Sequence, residues 1–173
     1  RKLVFDFRKN FAKKNNGKKI SLGNLLTNFG IPIEQSVQWR NDLMRPEDFL
    51  VRDEKLICEL QILSKKYKLI CVTNNPVKPA RKTLEVIGIS DFFEHIVGLD
   101  TCYKSKPARE PFEKALELTK TAAENAVAIG DRYDLDIELP EVLPVKYNLG
   151  IIEEYAKQLN EFYGKLVFTN EKY

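Results

Sequence analysis

Asp6, Thr73, Lys106 and the run Asp131, Asp134, Asp136 are the side chains of this chain whose types and positions could do chemistry together. Each stands at or after a short apolar run. Leu3-Val4-Phe5 delivers Asp6, LICV ends at Thr73-Asn74-Asn75, HIVGL precedes the loop that carries Lys106, and AVAIG delivers Asp131. A hydroxyl followed by amides supplies neutral hydrogen-bond donors for an oxyanion, although Thr73 or Asn75 could equally cap the helix that follows. A lysine just ahead of a helix can act there as a point cation. Three carboxylates within six positions repel one another unless a cation is bound among them, and such hard oxygen ligands suit Mg²⁺. The alternative for Asp131 is a helix cap.

The rest of the composition narrows the chemistry. With His95 as the single histidine, Ser-His, Cys-His and polyhistidine metal chemistry are poorly supported, and His95, set between aromatics and an apolar run, reads as a packing residue. Carboxylates and lysine are left to do the work. Three cysteines, Cys58, Cys71 and Cys102, are an odd number without metal-site spacing, which fits a reducing cytosol. The net charge of +3 is dispersed over pairs such as Lys13-Lys14, Lys18-Lys19 and Lys65-Lys66, so no basic stripe argues for nucleic acid as a partner. No run approaches the roughly 18 apolar residues of a membrane span, and no signal peptide is visible. The expected location is cytoplasmic.

The elements that must position these residues follow from periodicity. At 173 residues the chain can build one sizeable core with a small appendage. EKLICELQILSKKYK carries Leu56, Leu60 and Leu63 at helical spacing behind a cap at Asp53 and runs directly into LICV. PARKTLEVIGIS is a second helix, stopped at Gly88 before HIVGL; EPFEKALELTK is a third, before NAVAIG. Continuous apolar strands separated by helices predict an α/β fold with a parallel sheet covered on both faces, whose ligands lie at the carboxyl ends of the strands. Residues 11–52 read differently, as several short helices with turns, a small helical insertion.

VTNN, YKSKPAREPF and AIGDRYDLD, in that order and at strand ends, resemble motifs II, III and IV of the haloacid dehalogenase-like (HAD) hydrolases, over roughly residues 54–140. Thr73 stands 33 residues before Lys106, which stands 25 before Asp131. The resemblance implies a Rossmann-like three-layer core from residues 1–10 and 53–173, with a helical cap at 11–52. It implies Mg²⁺-dependent hydrolysis of a small phosphorylated metabolite through an aspartyl-phosphate. Asp6 would be the nucleophile, with Asp131 and Asp136 joining it around the metal and Thr73, Asn74 and Lys106 cradling the phosphate. Asp134 matches no motif position and would stand beside the metal ligands. Trp39, Arg40 and Arg45 could reach a substrate from the cap, though packing for Trp39 and solvation for the arginines are the simpler assignments.

The first motif departs from the family pattern of an apolar strand followed by Asp-x-Asp-x-Thr. Arg8 and Asn10 stand where the second aspartate and the threonine belong, and a guanidinium cannot alternate as acid and base. Such a chain could have become a binding module with impaired turnover. Two alternatives remove the conflict. Residues 2–16 could form a cap helix with Leu3, Phe7 and Phe11 on one face, motif I then lying upstream of Arg1; or residues could be absent between Phe7 and Arg8. We take Asp6 as the motif I aspartate, because a core without its central strand would expose apolar edges. Beyond the acidic cluster Pro140 and Pro144 interrupt the next helix, and LVFTN near residue 168 is expected as an edge strand. Oligomeric state cannot be read from the sequence.

Overall fold

A computed structural model describes residues 2–130, residue 136 and the backbone of residues 166–170. The N-terminal part is helical throughout. Helix α1 spans Lys2–Lys14, α2 Leu22–Asn28 and α3 Ile33–Leu43, with a 3₁₀ turn at Pro46–Asp48. The expected strand ending at Asp6 is therefore replaced by a helix. Its apolar residues recur every four positions, and Phe7 packs on Phe11 and Phe29 with ring centroids 6.5 and 5.3 Å away. A three-residue apolar run is too short to outweigh that period. Asn15 closes the helix by donating from Nδ2 to the Phe11 carbonyl at 2.8 Å, and Asn16 and Gly17 turn away with φ of 51° and 85°.

The α/β part begins at helix α4, Glu54–Leu63, which Asp53 caps by accepting the Leu56 N–H at 2.9 Å. Strand β1, Tyr67–Val72, follows, then helix α5, Val77–Ile87, which ends at Gly88 with φ of 84°. Strand β2, Phe93–Val97, the short helix α6, Leu99–Cys102, helix α7, Glu110–Thr119, and strand β3, Ala126–Ile129, complete the alternation. Strand β4 is Leu166–Asn170.

The sheet order is β2-β1-β4-β3. β1 and β2 are parallel, with Ile70 opposite His95 and Val72 opposite Val97. β4 runs antiparallel to both its neighbours, Leu69 opposite Phe168 and Val127 opposite Phe168. The sheet is thus mixed, and LVFTN takes an interior position where an edge was expected. That position closes two open ladders at once, satisfying the backbone groups of β1 on one side and β3 on the other.

Alternation along β1 divides the core into two layers. Leu69 and Cys71 face α4 and α5 through Leu56, Leu60, Ala80 and Leu84, while Ile70 and Val72 face Ala115 of α7. Helices cover both faces, as the continuous apolar strands required. Of the cysteines Cys71 alone is buried; Cys102 is half-buried, where burial pushes its thiol pKa up, and Cys58 is exposed. Pro140 and Pro144 lie outside the described residues. Leu60 is fully enclosed between α4 and the sheet, so Leu60→Ala is expected to cost about 2–5 kcal/mol, read as a lower urea midpoint at unchanged slope.

Candidate active site

The carboxyl ends of β1 and β2 and the loop before α7 meet at one place, and main-chain hydrogen bonds set their positions. Thr73 N–H donates to the Val97 carbonyl at 2.9 Å, and Leu99 N–H donates to the Asn75 carbonyl at 2.9 Å. Gly98 makes this approach possible, since a Cβ there would stand 2.6 Å from the Val77 nitrogen and 2.9 Å from the Asn75 oxygen. The cap of α5 comes from Asp100, whose Oδ1 accepts the Val77 N–H at 2.8 Å. Thr73 is thereby left out of helix capping. Its Oγ1 accepts the Asn75 N–H at 3.1 Å, a tight local turn that leaves the hydroxyl proton for another acceptor.

Lys106 is held from both ends. Its N–H donates to Asn74 Oδ1 at 2.7 Å, and Asn74 Nδ2 donates back to the Lys106 carbonyl at 3.2 Å. The Asn74 side chain thus pins the main chain of the lysine, a positioning function that its place beside Thr73 did not reveal. Lys106 Nζ donates to the Val72 carbonyl at 2.8 Å and forms an ion pair with Asp136 Oδ1. Both side chains are buried, at 2% and 3% exposure. Charges so enclosed persist only when paired and hydrogen-bonded, which this pair is.

Gly130 at the end of β3 makes room for the pair. A Cβ there would fall 2.2 Å from Asp136 Cβ and 2.7 Å from its Oδ2, so the carboxylate lies directly against the glycine backbone. Gly130 is therefore needed for close approach.

The remaining sequence candidates divide clearly. Asp6 stands on the exposed side of α1, with Arg8 and Asn10 on the same helix, so its expected place at a strand end is corrected, and Arg8 raises no conflict with acid-base chemistry there. Asp131 and Asp134 lie outside the described residues. Among the described residues no three acidic, histidine or cysteine side chains gather closely enough to hold a metal. Asp136, whose carboxylate lies against Gly130 at the end of β3, supplies oxygens that fit a divalent cation in kind. Trp39 and Arg45 are solvent-exposed, and His95 lies on β2, 3.7 Å from Glu94.

Arg40 departs most from its expected solvation. It projects from α3, is 9% exposed, and donates from Nη1 to the Asn74 carbonyl at 2.6 Å. Burial lowers its pKa from the ordinary value. The helical spacing of Ile33, Val37 and Arg40 on one face was the signal for it.

Residues 54–143, more than half of the chain, match the family of haloacid dehalogenase-like hydrolases, and the chain belongs to that family. A phosphoglycolate phosphatase of Aquifex aeolicus is 39% identical over 75 residues, which are 43% of this chain and 35% of that protein. A pyrophosphatase PpaX of Listeria welshimeri is 33% identical over 98 residues, 56% of this chain and 45% of the relative. The chain therefore spans less than half the length of these relatives. The crystal structure of a HAD phosphatase from Thermococcus onnurineus shares the fold, with a TM-score of 0.52 at 23% identity over 79% of this chain and 55% of that one.

Removing one member of the Lys106–Asp136 pair strands the other. Lys106→Met is expected to cost about 3–5 kcal/mol in urea denaturation, and Lys106→Met with Asp136→Leu to recover most of it.

Proposed function

We propose that the chain carries the phosphate-holding part of a Mg²⁺-dependent phosphomonoesterase that acts through an aspartyl-phosphate. The observation that carries this reading is the convergence of Thr73 and a buried, doubly anchored Lys106 at adjoining strand ends. The Thr73 hydroxyl would donate to one phosphoryl oxygen. Lys106 would place a fixed positive charge beside the group, and Asn74 would hold that lysine in register while the main chain after Thr73 approaches the anion. Donors set in advance against developing negative charge need no reorganisation during the reaction. A Mg²⁺ ion held by Asp131 and Asp136 would neutralise phosphoryl charge. The names of the relatives, phosphoglycolate phosphatase and pyrophosphatase, support a small phosphorylated substrate.

The helices of residues 2–43 would serve as the cap that keeps water from the site. They rest on the core through Arg40 on the Asn74 carbonyl and through Ser105, whose hydroxyl donates to Ser21 Oγ at 2.8 Å. The exposed position of Asp6 on α1 supports a different carboxylate as the attacking group. A second reading, phosphate binding without turnover, draws on the same observation: Asp136 is the carboxylate placed at the cradle among the described residues, and Lys106 engages it.

Release of inorganic phosphate from a panel of phosphomonoesters tests the first reading. Activity is expected to require Mg²⁺, to fall at least about 100-fold in Thr73→Ala or Lys106→Met, and to stay within about twofold in Asp6→Asn. Mass spectrometry of the trapped acyl-phosphate should find the label outside the peptide containing Asp6. A labelled Asp6 would contradict the placement of the nucleophile elsewhere. Phosphate binding without release would favour the second reading, and neither binding nor release would refute both.

A further inference from the structure

Arg40 does not finish its hydrogen bonding within the described residues. Nη1 is spent on the Asn74 carbonyl, whereas Nε and Nη2 are buried with no partner. Those two nitrogens share one edge of the guanidinium, the edge that receives a carboxylate or phosphate through two parallel hydrogen bonds. The unpartnered buried side-chain atoms found among the described residues all belong to α3: Ser36 Oγ, Arg40 Nε and Nη2, and Asn41 Oδ1. Ser36, at 1% exposure, stands one turn before Arg40 on the same helical face. A buried cation with an open fork, next to a buried hydroxyl with nothing to bind, is costly in a molecule that has no use for it.

Resting on the phosphatase reading above, we infer that the Nε and Nη2 edge of Arg40 receives a second anionic group of the substrate, a carboxylate or a further phosphate close to the transferred phosphoryl. The proximity follows from Asn74, whose carbonyl anchors Arg40 while its side chain anchors Lys106 and its neighbour is Thr73. Because both anchors belong to Asn74, the two anions would belong to one small substrate. Arg40 thereby selects among phosphorylated substrates by their second charge. The helix that covers the site becomes part of its specificity.

Three hydrolysis-resistant ligands separate the possibilities: propylphosphonate with no second anion, 3-phosphonopropionate with a carboxylate, and methylenediphosphonate with a second phosphate. Titration calorimetry at fixed ionic strength is expected to show one or both of the latter binding about 10- to 100-fold more tightly than propylphosphonate. The ligand that gains identifies the group. In Arg40→Met that advantage should vanish while propylphosphonate affinity changes less than about threefold. Equal affinity for all three ligands in the unaltered chain would overturn the inference without any variant, and is the result if a carboxylate of the chain itself occupies the edge. An advantage that survives Arg40→Met, or a uniform loss across the three, would also overturn it, the latter marking a purely positioning residue. If propylphosphonate binds and no preference exists, only this inference fails; if none of the three binds, the phosphatase reading fails with it.

Discussion

The buried ammonium of Lys106 is the constraint on which the site depends. A charge enclosed at that depth has to be met by partners, and the last carbonyl of β1 and Asp136 past the end of β3 meet the ammonium, while the Asn74 side chain just beyond β1 holds the main chain of the lysine. Satisfying one residue thus ties the ends of β1 and β3 to the loop before α7. The glycines serve the same end. Gly98 lets the turn after β1 lie on β2, and Gly130 lets Asp136 reach the lysine. Neither position tolerates a Cβ without displacing backbone or a charged partner.

Much of this was legible from local chemistry. LICV and HIVGL read as buried strands, and the helices between them had to cover both faces, so Thr73, Lys106 and Gly130 were bound to converge at carboxyl ends. Capping at Asp53 and the stop at Gly88 were equally clear, because each depends on a residue type at one position. What stayed hidden depends on tertiary pairing. The register of LVFTN between β1 and β3 is set by two open ladders far away in sequence, and no periodicity announces it. Asn74 looked like a phosphate donor when taken alone, yet its partner lies 32 residues away.

The N-terminal segment shows how two signals of similar strength compete. Leu3-Val4-Phe5 followed by aspartate has the form of a strand delivering a nucleophile, and a sheet lacking its central strand would expose apolar edges. Leu3, Phe7 and Phe11 have the form of a helical stripe, and the aromatic contacts of Phe7 realise it. The longer pattern prevailed because a helix satisfies its interior backbone groups within the segment and sets Phe7 against Phe11 and Phe29. One consequence is that α3 of this helical segment carries a buried arginine, Arg40, to the turn after β1, where it donates to the Asn74 carbonyl.

The place where an anion binds decides the role of Thr73 and Lys106. A crystal structure of the protein grown with orthovanadate and Mg²⁺ addresses this most directly, since vanadate adopts the geometry of a phosphoryl group in transit. The anion is expected between the Thr73 hydroxyl and Lys106, beneath Arg40. Vanadate bound elsewhere, with Lys106 and Asp136 still closed on each other and Thr73 untouched, would contradict it.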